Sequence, residues 1–131
     1  MKYLFDSSAI FRAIKENNVE VLTGNYTLEL ARYEMGNIVW KDYALQAKIS
    51  EQESKMMAKT IEHTLSLMEV LGIAGNEEEI LETAMQLKIT FYDASYAYFA
   101  NAKELQLVTE DLRLIKRIAP TINVSTLDRV K

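Results

Sequence analysis

With 131 residues the chain has room for one hydrophobic core, expected as a single domain over 1–131, and buries roughly two-thirds of its unfolded surface without disulfide staples. Cysteine is absent, which excludes zinc-thiolate sites, thiol nucleophiles and redox switches and makes the cytoplasm the default location. The net charge of -4 argues against indiscriminate adhesion to nucleic acid, so a nucleic-acid substrate would need local basic patches or a bound cation.

The chain opens with Met1-Lys2-Tyr3-Leu4-Phe5-Asp6, where a charge follows too short an apolar run for a signal-peptide core. No apolar run approaches the roughly 18 residues of a membrane span, so no membrane partner is expected. Residues 2–5 predict a short buried strand, and Ser7 onward places apolar residues at helical spacing. A second, weaker β-like run covers 19–23 and closes at Gly24-Asn25, ahead of a long helix from near Thr27 to Lys48. On that helix Leu30, Ala31, Glu34, Ile38 and Leu45 fall along one face, so the carboxylate of Glu34 interrupts an apolar stripe.

A third helix over 50–71 starts on the capping-box pair Ser50 and Glu53, carries Met57, Ile61, Leu65 and Met68 on one side, and stops at Gly72. Asn76 then caps an acidic first turn, Glu77-Glu78-Glu79, which suits the positive end of a helix dipole and has Ile80, Leu81, Ala84 and Leu87 behind it as core. A brief β-like run over 88–92 leads to a helix from Asp93 to about Lys103. Leu105 to Thr109 forms another strand, which delivers Asp111 to a helix stopped by Pro120, and 122–125 gives a last strand. Strands alternating with helices predict an α/β fold with a parallel sheet sandwiched between helices.

Four acids stand out against this frame: Asp6, Glu34, Asp93 and Asp111. In an open parallel sheet the ligand crevice lies outside the carboxyl ends of the strands, where Asp6 and Asp111 directly follow strands. Capping is the structural alternative for each aspartate, but Ser7, Ser8 or Thr109 offers a cap beside Asp6 and Asp111, and capping does not explain Glu34 in mid-helix. For Glu34 the rival is a buried ion pair with Arg or Lys. Like charges about 4 Å apart repel by about 4 kcal/mol at an effective dielectric of 20, so a cluster of four acids is expected to be unfavourable without a cation. An all-oxygen donor set suits Mg²⁺ or Mn²⁺ better than Zn²⁺. His63, within the third helix, is expected to have no part in the site. The basic residues after the acids, Arg12 and Lys15, Lys41 and Lys48, and Arg113, Lys116 and Arg117, read first as solvated helix faces and second as phosphate contacts.

With those residues in view, the chain resembles the PIN-domain nucleases, and in particular the small toxins of VapC type. The resemblance spans nearly the whole chain and rests on the order and spacing of Leu4-Phe5-Asp6-Ser7-Ser8, Glu34 with Asn37, Tyr92-Asp93-Ala94-Ser95-Tyr96-Ala97 and Leu107-Val108-Thr109-Glu110-Asp111. It implies a PIN-like three-layer α/β/α sandwich with a central, mostly parallel sheet of four to five strands. It also implies that Asp6, Glu34, Asp93 and Asp111 bind one or two Mg²⁺ or Mn²⁺ ions, with Thr109 in support, to cleave RNA endonucleolytically by metal-activated water and leave a 5′-phosphate. An antitoxin partner of a type II toxin-antitoxin pair and a homodimer are further implications. One departure concerns the second ion: many of that family carry another acid two residues after the last aspartate, where this chain has Arg113.

The alternatives are an RNA-processing PIN nuclease outside any toxin-antitoxin pair and a non-catalytic PIN-like module whose acids serve structure. An aspartyl-phosphate phosphotransferase is disfavoured, because it carries a second Asp two residues after the first and Ser8 stands there.

Overall fold

A computed structural model describes residues 3–130; Lys2, included in the expected first strand, lies outside the described residues, as do both ends of the expected 1–131 span. The strands are β1 (Tyr3–Phe5), β2 (Tyr26–Leu28), β3 (Glu69–Leu71), β4 (Gln106–Val108) and β5 (Val124–Ser125). The helices are α1 (Ser7–Lys15), α2 (Glu29–Ala44), α3 (Glu51–Ser66), α4 (Glu77–Leu87), α5 (Phe91–Ala102) and α6 (Leu112–Ile118). All five strands are parallel, in the order β3-β2-β1-β4-β5. The chain winds outward from β1 through β2 to β3, then returns to the other side of β1 to lay down β4 and β5. The order therefore reverses between β1 and β4, which makes a crevice at their carboxyl ends.

Alternation along the strands divides the interior in two. Leu4, Leu28 and Leu107 face a core shared with α4, α5 and α6 through Ile80, Ala84, Ala97, Phe99, Leu114 and Ile118. Their neighbours Phe5 and Val108 face the opposite core, built with α1, α2 and α3 from Ile10, Ala31, Met35, Val39, Ile61 and Leu65. The result is the expected helix-sheet-helix sandwich, with strands buried on both faces as parallel strands require. No helix among the described residues is long and apolar enough to cross a membrane.

Several expected boundaries move. The run 19–23 is a 3-10 turn over Val19–Leu22, not a strand, because the place beside β1 is taken by Tyr26–Leu28. Thr27 belongs to that strand, where its buried hydroxyl donates to the Phe5 carbonyl at 2.7 Å. The helix from near Thr27 thus begins at Glu29. It ends at Ala44 rather than Lys48, since the chain turns at Ala47 (φ 51) and Gln46 N–H returns to the Lys41 carbonyl. Leu45 is consequently exposed and falls out of the apolar stripe.

The capping box of Ser50 and Glu53 is present, but α3 stops at Ser66, and Glu69–Leu71 pairs with β2 as a strand. Strand pairing outweighs the helical spacing there, because β2 offers an open row of backbone donors and acceptors. Asn76 precedes α4 without capping it; its amide donates to the Tyr98 hydroxyl at 3.2 Å, and Leu81 is exposed. The run 88–92 is not β-like: Lys88 ends α4 in the left-handed region (φ 58) and Thr90 caps α5. The last strand shortens to two residues and is followed by an unforeseen 3-10 turn, Leu127–Arg129.

Thr27→Val preserves shape but removes the hydroxyl that ties β2 to β1. Denaturant unfolding is expected to show a loss of about 1 kcal/mol, and an unchanged midpoint would mean that the bond contributes nothing.

Candidate active site

The site begins where β1 ends. The Asp6 amide donates to the Val108 carbonyl at 3.0 Å, extending the parallel ladder by one bond and placing the two strand ends side by side. Asp6 is buried, and its Oδ1 accepts from Ala9 N–H at 3.0 Å and from the Ser8 hydroxyl at 2.7 Å. It is therefore itself the N-cap of α1, contrary to the expectation that Ser7 or Ser8 fills that place. The same correction applies across the crevice, where Asp111 rather than Thr109 caps α6, its Oδ1 accepting from Arg113 N–H and Leu114 N–H at 3.1 Å each. Both caps use Oδ1 alone, so capping and ligand binding do not compete for every oxygen.

Two hydroxyls lock these strand ends together. Ser8 Oγ accepts from Glu110 N–H at 2.9 Å and lies 3.3 Å from the hydroxyl of the fully buried Thr109. Thr109 Oγ1 in turn accepts from Asp111 N–H at 3.1 Å. The Thr109 hydroxyl thus holds the turn that carries Asp111, and Ser8 ties the same turn to Asp6.

Glu34 reaches the site from α2 and Asp93 from the first turn of α5. Thr90, not Asp93, caps α5, with its hydroxyl accepting from Asp93 N–H at 3.0 Å, so helix capping does not account for the Asp93 carboxylate. Glu34 is partly buried, and its Oε1 accepts from the Tyr96 hydroxyl at 2.9 Å. Among the described residues it forms no ion pair within 4.0 Å, which sets aside the Arg or Lys partner. Burial, with the charges of Glu34 and Asp6, pushes the Tyr96 phenol far above its usual range, so it remains a hydrogen-bond donor.

The acids feel one another. Burial raises the Asp6 carboxyl to about 6; Thr109, Ser8 and the Ala9 amide hold it down, and the charge of Glu34 adds to the rise. Asp93 is raised by burial, then by Asp111 and by Glu34, with Thr90 alone opposing. The charge of Glu34 thus acts on Asp6 and Asp93, and that of Asp111 on Asp93, and among the described residues none of the four forms an ion pair within 4.0 Å. Among the described residues, however, no group of three or more His, Cys, Asp or Glu side chains stands ready to hold a metal ion. Asp6, Asp111 and Glu34 are each held by separate hydrogen bonds, and the four acids do not form a closed coordination shell. The all-oxygen donor set, free of ion pairs within 4.0 Å among the described residues, fits a hard divalent cation. His63 is exposed on α3.

The basic residues divide into two groups. Arg12 is bound by Glu16 at 2.7 Å and by Glu110 and Asp128 at 2.6 Å each, which removes it as a phosphate contact. Lys88, Arg113 and Arg117 instead line a cleft of about 540 Å³ together with Asp93 and Asp111.

Tyr96 and Ser8 are the residues that sequence reasoning missed. Tyr96 lies three positions after Asp93, hence on the same helical face, and that spacing was the available signal. For Ser8 the only local signal was its place in Asp6-Ser7-Ser8, because its contacts at 109 and 110 are a hundred residues away.

No protein-family profile matches the chain. Among characterised proteins, it is 33% identical over 129 residues to Exonuclease VapC9 of Pyrobaculum aerophilum, covering 97% of this chain and 93% of the relative. It is 27% identical to Ribonuclease VapC3 of the same organism, over 89% and 95% of the two chains. The crystal structure of PAE2754 from Pyrobaculum aerophilum superposes with a TM-score of 0.79 at 28% identity, over 98% of this chain and 90% of that one. The VapBC2 structure from Rickettsia felis, bound to a promoter DNA fragment, shares the fold at a TM-score of 0.68 and 22% identity, over 98% and 100% of the chains.

A carboxyl raised by folding stabilises the fold while protonated and costs stability once ionised. In chelator, stability is therefore expected to fall as pH rises from below 4 to above 6, by at most about 3 kcal/mol from Asp6. Asp6→Asn keeps a good cap and should flatten that fall in melting temperature between pH 4.5 and 7.5. An equally steep fall in the variant would refute the assignment.

Proposed function

The chain belongs to the VapC-type PIN-domain nucleases, and from that premise we propose that it is a divalent-metal-dependent endoribonuclease, the toxin of a type II toxin-antitoxin pair. The observation that carries this reading is a set of four carboxylates drawn from distant parts of the chain: the charge of Glu34 adds to the rise of Asp6, those of Asp111 and Glu34 add to the rise of Asp93, and none of the four forms an ion pair within 4.0 Å among the described residues. Mutual repulsion of this kind opposes folding, and a bound cation would relieve it.

Asp6, Glu34, Asp93 and Asp111 would hold Mg²⁺ or Mn²⁺. When bound, such an ion supplies positive charge that acidifies water and offsets charge building on the phosphate and the leaving oxygen. The chain's own part is positional. Tyr96 fixes Glu34 by its hydroxyl, Ser8 and Thr109 fix the loop from 109 to 111 against Asp6, and the helix caps hold one oxygen of Asp6 and Asp111 in place. Water adds to phosphorus and the bond to the 3′ oxygen breaks, leaving a 5′-phosphate and a 3′-hydroxyl.

The antitoxin reading rests on kinship with the VapC proteins. A groove of about 350 Å³ lined by Leu30, Tyr33, Leu71, Phe91 and Tyr92 supports it. Leu30, Tyr33 and Tyr92 also border the recess of Glu34 and Asn37, so a segment lying there would reach the acids. A homodimer is proposed on the same kinship.

Purified protein with Mn²⁺ is expected to cut mixed RNA, and to cut circular RNA as well, which an exonuclease leaves intact. Asp6→Asn should slow cleavage about a hundredfold or more, the scale of losing several kcal/mol of charge stabilisation, and chelator should stop it. Cleavage that persists in the variant would remove the assignment, and no cleavage under any condition would favour a binding module.

Mg²⁺ or Mn²⁺ is further expected to raise the melting temperature by roughly several degrees through ligand linkage. Asp93→Asn should abolish that rise while leaving the protein in chelator at least as stable, since it removes repulsion. A much weaker variant in chelator would assign Asp93 a structural role.

A further inference from the structure

We propose that Lys88, Arg113 and Arg117 bind a backbone phosphate of the nucleic acid beside the scissile one, so that the substrate crosses the cleft between this basic wall and the acids. The proposal rests on the nuclease reading and deepens it.

Three observations carry it. First, the three cations and the carboxylates of Asp93 and Asp111 line the same cleft. Arg113 and Arg117 are four residues apart on α6 and so share a face, while Lys88 comes from the end of α4. Second, none of the three forms an ion pair within 4.0 Å among the described residues, although acids stand in the same cleft; Arg12, by contrast, has three partners. The donors of Lys88, Arg113 and Arg117 remain available, and a guanidinium fork matches phosphate oxygens in a bidentate manner.

Third, Lys88 occupies a left-handed position (φ 58), where glycine is the favoured residue after a helix. Its charge suits the helix C-terminus, but the left-handed conformation itself does not call for lysine, since Asn17, Ala47 and Glu104 adopt it as well. In a chain of net charge -4, a local basic wall also supplies the attraction that a polyanion needs to approach the acids.

The test is binding of a fluorescein-labelled oligo-uridine RNA in chelator, followed by anisotropy across a salt series. Arg113→Gln with Arg117→Gln should weaken binding about tenfold or more and flatten the slope of log affinity against log salt by about 0.7 per cation removed. Arg113→Lys with Arg117→Lys, which keeps charge and loses the fork, should restore most of the affinity. Lys88→Gly should weaken binding about threefold with little change in melting temperature, which a purely structural lysine would not do. Lys116→Gln, exposed on the same helix outside the cleft, should bind within about twofold of wild type.

Cleft variants that bind with wild-type affinity and salt slope overturn the proposal, as does an equal loss in Lys116→Gln. If wild type then still cleaves RNA with Mn²⁺, the nuclease reading stands without this subsite. A wild type that neither binds nor cleaves overturns both.

Discussion

Parallel pairing of β1 with β4 is the constraint on which the site depends. Leu4 lies opposite Leu107 and Phe5 opposite Val108, and the ladder runs on into the bond from Asp6 N–H to the Val108 carbonyl. That register sets positions 6 and 109–111 next to one another, though a hundred residues separate them along the chain. A slip of one residue would turn Thr109 to the other face and exchange Leu107 with Val108 between the two cores. Both cores oppose such a slip, so the burial that stabilises the sheet also fixes the geometry of the crevice.

The hydroxyls follow from that register. Ser8 can meet Thr109 and the Glu110 amide only because the two strands end level with each other. Tyr96 likewise reaches Glu34 because α5 packs on one face of the sheet and α2 on the other, and both overhang the same edge. Neutral donors thus anchor the acids without cancelling their charge. The strands and helix ends hold the carboxylates in mutual repulsion, which is the condition under which a hard cation adds most to stability. The proposed basic wall completes the division: its cations line the same cleft as Asp93 and Asp111 without pairing with them within 4.0 Å.

Where alternation or punctuation was strong, the sequence was legible. Tyr3–Phe5 as a strand, Ser50 with Glu53 as a capping box, the stop at Pro120 and the core positions Ile61, Leu65, Ile80 and Ala84 all stand as read. The errors gather at β2 and β3. Tyr26–Leu28 and Glu69–Leu71 are three-residue strands fused to the end of a turn or helix, too short to display a period of two. They pair with each other across forty residues, and that pairing settles their conformation against the helical spacing around them. Asp93 illustrates the same limit on a smaller scale: Asp and Thr are both good caps, and only the observed bond to Thr90 decides which one serves.

The chain's residues by themselves determined the alternating α/β order, the apolar faces and the four acids that interrupt them, because periodicity and chemical type are local properties. Tertiary structure alone decided that the strands run in the order β3-β2-β1-β4-β5, that Ser8 and Tyr96 hold the acids, and that Arg12 is consumed by ion pairs while Arg113 and Arg117 stay open. Those outcomes depend on which distant segments share a sheet edge, and it is the burial of two cores at once that selects the arrangement.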